Sequence, residues 1–309
     1  KSTQEWKEEI VYFDALETNP DAAKTKLDQA IFPDGQPARL TPQLDPRKVF
    51  ADWLITPDNP WFTRSFVNRV WCWLMGRGIV HPPDDLRPDN QATHPALLKM
   101  LQRKCVANKY DLKQLLRLIL NSQTYQQASI PRSDRPEVAT HFACYPLQRL
   151  DAEVLIDALC QISGTTEEYS SAIPEPFTFI PADQRSIGLP DGSITSPFLE
   201  MFGRPPRDTG LQLERNNRPT ASQRLHLLNS SHIRKKIEQS PKLRSKAASF
   251  RKTPRKGIDY LYLSILSRYP TDEERIAIQE YAKTSQRGSR SYVDVTWALI
   301  NSAEFLYRH

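Results

Sequence analysis

The chain has 309 residues, 39% of them hydrophobic and 25% charged, with a formal net charge of +6. That is enough chain, with an ordinary enough balance, to bury a real core as a globular protein. No apolar run approaches the length of a transmembrane helix, and the mild positive charge permits polyanion binding without demanding it. Lys1, in place of a starting Met, reads as the beginning of a processed chain or a fragment, and no signal-peptide pattern opens it.

Helical periodicity dominates in chain order. Residues 4–16 and 20–30 read as two short amphipathic helices, the second opened by Asn19-Pro20. Asp45 and Pro46 open a helix over 46–56, with Val49, Phe50, Trp53 and Leu54 on its apolar face. Asn59-Pro60 begins another that runs to Met75 and stops at glycine. Further helices are predicted from His94-Pro95 to about Val106, from Asp111 to about Asn121, and over 150–163. From Gly164 to Pro206 the texture changes to a proline-rich stretch with possible extended pieces such as Phe177-Thr178-Phe179-Ile180. A long loop of this kind is a natural internal boundary. Helices resume over 219–239, 255–268, 272–285 and 291–307, the third opened by the capping box Thr271-Asp272-Glu273-Glu274. No strand–helix alternation and no repeat is visible. The expected fold is all-α, an irregular multi-helix domain in two helical halves joined by a long Pro-rich loop. Its parts are an extension over 1–45, halves over 46–163 and 207–309, and the loop over 164–206.

The richest stretch is NPWFTRSFVNRVWCWLMGRGIVHPPDDL, residues 59–86. Apolar residues cover most of the helix 60–75, so that helix is largely buried. Arg64, Asn68 and Cys72 share one stripe at i, i+4, i+8. A buried guanidinium needs a carboxylate, and Asp84 and Asp85 lie just past the glycine turn. The stretch is either a structural Arg–Asp clamp or an anion- or substrate-binding pocket. His81, Asp84, Asp85, Asp89 and His94 have the ligand types for a divalent cation, but their spacing fits neither an EF-hand nor HExxH. The plainer reading makes His94 a helix-entry residue and Asp84 a turn residue, with no metal.

The remaining motifs are mostly negative. No GxSxG elbow, P-loop or GxGxxG is present. Cys72, Cys105, Cys144 and Cys160 make no CxxC pair and no CxxCH haem motif, and read as buried free thiols. Lys242, Arg244, Lys246, Arg251, Lys252, Arg255 and Lys256, behind Arg234, Lys235 and Lys236, form a basic run without an acidic residue. It reads as a solvated inter-helix loop or as a polyanion grip.

Taken together, the residues resemble the planctomycete-type domain of unknown function family fifteen-fifty-three, from about residue 46 to the chain end. The matching pieces include Asn59-Pro60, Phe62, Arg64, Asn68-Arg69, Trp71, Gly76, Gly78, Asp84-Asp85 and His94-Pro95. Farther on come Arg149-Leu150, Ala152-Glu153, Phe202-Gly203-Arg204-Pro205, Glu214-Arg215 and Leu227-Leu228-Asn229. Ser267-Arg268, Glu274, Asp294, Trp297 and Glu304-Phe305 close the match. The resemblance implies an exported protein, in the periplasm or at the cell surface. It implies cytochrome-like domains upstream, which would carry any haem, and a sulfatase-like exported partner. It supplies no activity. Leu211-Gln212-Leu213 stands where many members place cysteines, so no disulfide or metal role carries over, and Gln148 stands where a second arginine is common.

The expectation is therefore a non-enzymatic helical module of an exported, cytochrome-linked protein that contacts polysaccharide or a partner protein. Arg64, Arg69, Arg149, Arg204, Arg215 and Arg268 are expected to meet Asp84, Asp85, Glu153, Glu214, Asp294 and Glu304 in one polar core, with Asn68, Trp71 and Trp297. Two alternatives stand beside it. One is a polysaccharide-active enzyme with Asp84 or Asp85 as acid or base near His81 or His94. The other is polyanion or nucleic-acid binding through 234–256.

Overall fold

A computed structural model describes residues 30–41, 44–135, 137–171, 179–189, 193–205, 214–285 and 291–308, giving only the backbone for 247–252. The helix expected over 4–16, all but the last residue of that over 20–30, the first half of the extended piece at 177–180, and Leu211-Gln212-Leu213 lie outside the described residues. The chain forms two compact units, Lys1–Ser122 and Gln123–His309. The Pro-rich stretch 164–206 falls within the second unit.

Among the described residues the first unit is built on four helices, α1 Pro46–Leu54, α2 Phe62–Met75, α3 Pro95–Ala107 and α4 Leu112–Leu120. Their starts are chemically marked. Asp45 accepts from the Arg47 amide ahead of Pro46, and Asp111 accepts from Lys113 N and Gln114 N. Asn59 Oδ1 takes the amides of Trp61 and Phe62, each at 3.0 Å. Such side chains satisfy backbone donors that a helix start leaves open. Helices α2, α3 and α4 pack on one another. Val67, Val70, Trp71, Met75, Leu98, Leu101, Leu115 and Ile119 are buried there.

The second unit contains α5 Glu137–Thr140, α6 Ala152–Ser163, α7 Pro197–Met201, α8 Ala221–Asn229, α9 Ser231–Glu238 and α10 Pro241–Lys252. It continues with α11 Pro254–Ile265, α12 Asp272–Thr284, α13 Ser291–Ile300 and α14 Ala303–Leu306. Helix α6 packs against α7, α9 and α10, and α13 against α9, α10, α11 and α12. Leu155, Phe198, Phe202, Ile233, Leu243, Leu261 and Ile300 lie in the shared core. No helix among the described residues is long and apolar enough to cross a membrane.

Several boundaries differ from the expected ones, each for a local reason. The helix predicted over 219–239 breaks at Ser230, which ends α8 and caps α9 by accepting from Ile233 N. The helix predicted over 291–307 ends at Ile300, and Ser302 caps the short α14. The basic run is not an inter-helix loop: it forms α10 and the start of α11. Ser240 Oγ accepts from Leu243 N at 3.0 Å with Pro241 in the first turn, and Leu243 is buried. That serine–proline start outweighs the charge of the run. Short strands also occur. β1 Gln148–Arg149 pairs antiparallel with β4 Tyr307–Arg308, and β2 Ser170–Ser171 with β3 Ile194–Thr195. Two-residue strands are too short to leave a period-2 signal.

Candidate functional site

In the first unit the chain leaves α2 through Gly76, which caps it at φ 70°. A side chain at Gly78 would lie 2.2 Å from Val80 O, so the turn requires glycine. This tight turn folds 79–84 back onto the helix. Asn68, fully buried, donates from Nδ2 to Val80 O (2.9 Å) and Pro83 O (3.2 Å) and accepts from Val80 N (2.9 Å). From the next residue, Arg69 Nε donates to Asp84 Oδ1 at 2.8 Å, and the Asp84 side chain is 7% exposed. The expected partner Arg64 is not in this pair; its Nε is buried without a hydrogen-bond partner among the described residues.

Asp84 and Asp85 take different partners. Asp85 accepts from Arg87 Nε and Nη2, both at 2.8 Å, on the surface. The Arg87 hydrogen bonds hold its carboxyl below the usual range. His81 is held below the ordinary imidazole range by burial and by Arg77, and His94 stands at the start of α3 without a side-chain cap. Trp71 is buried in the core of the unit. Among the described residues no group of three or more His, Cys, Asp or Glu side chains converges as metal ligands. Burial, then the Asp84 charge, pushes the Cys72 thiol up to about 11. The four cysteines are free, Cys72 and Cys105 buried, Cys144 and Cys160 partly so.

In the second unit the ion pairs fall into separate groups instead of one polar core. Glu153, at the start of α6 and 1% exposed, receives both arms of Arg215 at 2.8 and 2.9 Å. Arg204 Nε lies 3.6 Å from the same carboxylate, and its Nη1 donates to Ile194 O. Burial pushes the Glu153 carboxyl up, but the Arg215 and Arg204 guanidiniums outweigh it and hold it below the ordinary range. Arg149, 5% exposed, donates to Phe202 O at 2.7 Å and lies over the Phe202 ring, with no carboxylate paired to it among the described residues. The path of this backbone depends on Gly203, at φ 83°, where a side chain would strike Asn216 O. Glu214 is partly buried beside Arg215 in sequence.

A second group centres on Arg268, which grips Glu274 and Glu304 with four hydrogen bonds of 2.6 to 2.9 Å. It ties the end of α11 to the capping box of α12 and to α14. These bonds hold Glu274 down at about 2.

The third feature is a groove of about 330 Å³ between the α8–α9 elbow and α13. Leu228, Asn229, Arg234, Glu238, Asp294 and Trp297 line it. The Trp297 indole is 37% exposed and its Nε1 donates to Leu228 O at 3.2 Å, which fixes the ring against the elbow. Asp294 Oδ2 accepts from Tyr281 Oη at 2.9 Å, and Arg234 Nε donates to Glu238 Oε1 at 2.9 Å. Leu227-Leu228-Asn229 and Asp294 with Trp297, far apart in sequence, meet here.

The basic run is partly committed to structure. Lys242 Nζ donates to Gln161 O, Arg244 Nε to Glu238 O, and Lys246 lies over the Tyr260 ring. Arg255 and Lys256 are exposed, while the side chains of Arg251 and Lys252 lie outside the described residues.

A cluster of which the sequence points only to Lys236, in the basic stretch, joins Glu167, His226, His232 and Lys236. His232 Nε2 lies 3.0 Å and Lys236 Nζ 2.9 Å from Glu167 Oε2. His226 Nε2 lies 3.4 Å from His232 Nδ1. No motif flags residues six apart across a helix break.

These features define a mainly helical protein with an ion-paired interior and an aromatic-lined groove. Residues 46–282, most of the chain, match the model of the family described as protein of unknown function (DUF1553), and the chain belongs to that family. Comparison with curated proteins and with solved structures gave no match.

Proposed function

We propose that the chain is a non-enzymatic binding module and that the Trp297 groove takes sugar units of a polysaccharide. The observation that carries this reading is the composition of the groove. A sugar ring offers one face rich in C–H groups and an edge of hydroxyls that both donate and accept. The half-exposed indole of Trp297 supplies an apolar platform for the first. Asp294, Asn229 and Arg234 supply acceptors and donors for the second, the pattern of a few placed polar groups around an apolar floor that specific pockets use. The other charged clusters favour a structural role. Asp84 is buried on Arg69 and Asp85 is occupied by Arg87, which counts against an acid–base pair at that place.

On this reading the module belongs to an exported protein, in the periplasm or at the cell surface. Cytochrome-like domains carrying haem would lie upstream, with a sulfatase-like exported protein as partner. These elements rest on the family resemblance. Retardation of the purified chain in gels containing neutral, carboxylated or sulfated polysaccharide tests the reading. At least one polymer class is expected to retard the wild type and to lose that effect with Trp297→Ala. Retardation unchanged by that substitution would place the binding elsewhere.

A further inference from the structure

The two walls of the α8–α9 elbow are joined by His226, in the last turn of α8, and His232, in the first turn of α9. Their ring centres are 5.7 Å apart and their facing nitrogens 3.4 Å apart. The difference is two imidazole radii, so the rings meet head-on. Two lone pairs chelating one ion would splay the rings; a head-on pair shares one proton between two nitrogens. Glu167 fixes the order of donors. Its Oε2, already accepting from Lys236, takes the N–H of His232 Nε2, which leaves Nδ1 of His232 as the acceptor for N–H from His226 Nε2.

Among the described residues, aromatic rings, one carboxylate and one ammonium surround this pair. His226 meets the rings of Phe198 and Phe202, and His232 meets Phe198. Among the described residues Glu167 is the one anion in contact with the pair, and its side chain is 9% exposed. Lys236, 8% exposed, also donates to Thr166 O at 2.8 Å and Cys160 Sγ at 3.3 Å. The pair accepts one additional proton with its central hydrogen bond intact. A second puts N–H against N–H and two like charges within hydrogen-bond distance, and the Glu167 charge is already shared with Lys236. Burial, then the neighbouring His232, holds His226 below the ordinary imidazole range.

We propose that the His226–His232 pair is an acid-released latch on the α8–α9 elbow, and that it sets the pH range over which the groove binds. The groove wall is residues 227–230, the segment between the two histidines, so opening the latch frees one side of the groove. The coupling to binding rests on the saccharide reading above; the latch itself does not. Hydrogen exchange of residues 221–238, corrected for intrinsic rates, tests the latch at pH 7 and pH 4.5, an interval that reaches below the ordinary histidine range because the second proton is the one that breaks the central bond. Protection is expected to fall in the wild type at the lower pH. It is expected to hold in His226→Gln, whose amide still donates to His232 but does not titrate. His232→Asn, which offers an acceptor but no titratable ring, is the second non-titrating variant. Equal protection at both pH values in the wild type, or an equal fall in both variants, overturns the latch. For whichever polymer retards the chain, affinity is expected to drop about fivefold or more over the same interval, a modest coupling, and not in His226→Gln. An equal drop in His226→Gln overturns the coupling. Absence of binding to every polymer at pH 7 counts against the saccharide reading and removes the basis for the coupling, while the exchange result stands by itself.

Discussion

Asn68 and Val80 exchange two hydrogen bonds, amide to carbonyl and carbonyl to amide, each at 2.9 Å. The side chain imitates an extended backbone partner, and α2 thereby holds the returning loop as a sheet neighbour would. Asn68→Ala leaves Val80 N–H, Val80 C=O and Pro83 C=O without their side-chain partner in a buried place. The expected loss is about 3 kcal/mol, from the cost of buried unpaired groups. Asn68→Asp is expected to be as damaging, because it turns an acceptor toward two carbonyls. Denaturant unfolding of both variants checks this; a loss under about 0.5 kcal/mol would remove the clamp role, since that is the size of an ordinary surface change.

Glu153→Gln tests the ion-paired interior of the second unit. It leaves Arg215 and the nearly buried Arg204 facing a neutral amide. Breaking a buried pair from one side costs about 3 to 5 kcal/mol. Replacing Glu153 and Arg215 together by apolar residues of similar size is expected to cost less than the single change. Additive losses in that comparison would show that the two groups do not act as a pair.

Acid stability follows from the same carboxylates. The folded-state values of Glu153, Glu167 and Glu274 all lie below ordinary, Glu274 at about 2. Groups depressed in this way contribute stability that is present above the unfolded value and is lost as pH falls through the folded one. The depressed His226 adds an earlier loss that begins below its unfolded value of about 6.5. Thermal midpoints are therefore expected to decline modestly below pH 6.5 and steeply between about pH 4.3 and 2. A midpoint that rises on acidification would contradict the signs.

Neighbouring lysines of the basic run should behave differently. Lys236 is buried on Glu167, whereas Lys235 is exposed. Lys236→Ala leaves an uncompensated buried carboxylate and is expected to cost about 3 kcal/mol, Lys235→Ala less than about 0.5 kcal/mol. If binding to nucleic acid depended on this run as a whole, affinity would fall steeply with salt and both variants would weaken it.

What the sequence made legible is what local chemistry decides. Asp45-Pro46, Asp111 and Thr271 with Glu274 mark helix starts by their own hydrogen bonds, and each start falls within two residues of its predicted place. The charge of 242–256 hid a helix whose start depends on Ser240 and Pro241. The sequence places Arg268, Glu304, Asp294 and Trp297 in one polar core; in the structure Arg268 meets Glu304 in its own ion-pair group, while Asp294 and Trp297 line the groove. Arg69, five residues after Arg64, is the one that reaches Asp84, because five residues at about 100° each leave the two side chains about 140° apart around the helix. Glu167, His226 and His232 were not expected at all. Their meeting depends on how α8, α9 and the segment after α6 pack, and no short-range spacing encodes that.

Saccharide binding in the groove between Asn229 and Trp297 is what the proposed function requires first. Its most direct measurement is a calorimetric titration at pH 7 with oligosaccharides cut from the polymer that retards the chain. The titration would compare wild type, Trp297→Ala and Asp294→Asn, with Glu153→Gln as a distant control. Saturable binding by the wild type, lost with Trp297→Ala, weakened with Asp294→Asn and retained in the folded fraction of the control, is the result expected. Equal binding by wild type and Trp297→Ala would contradict the claim.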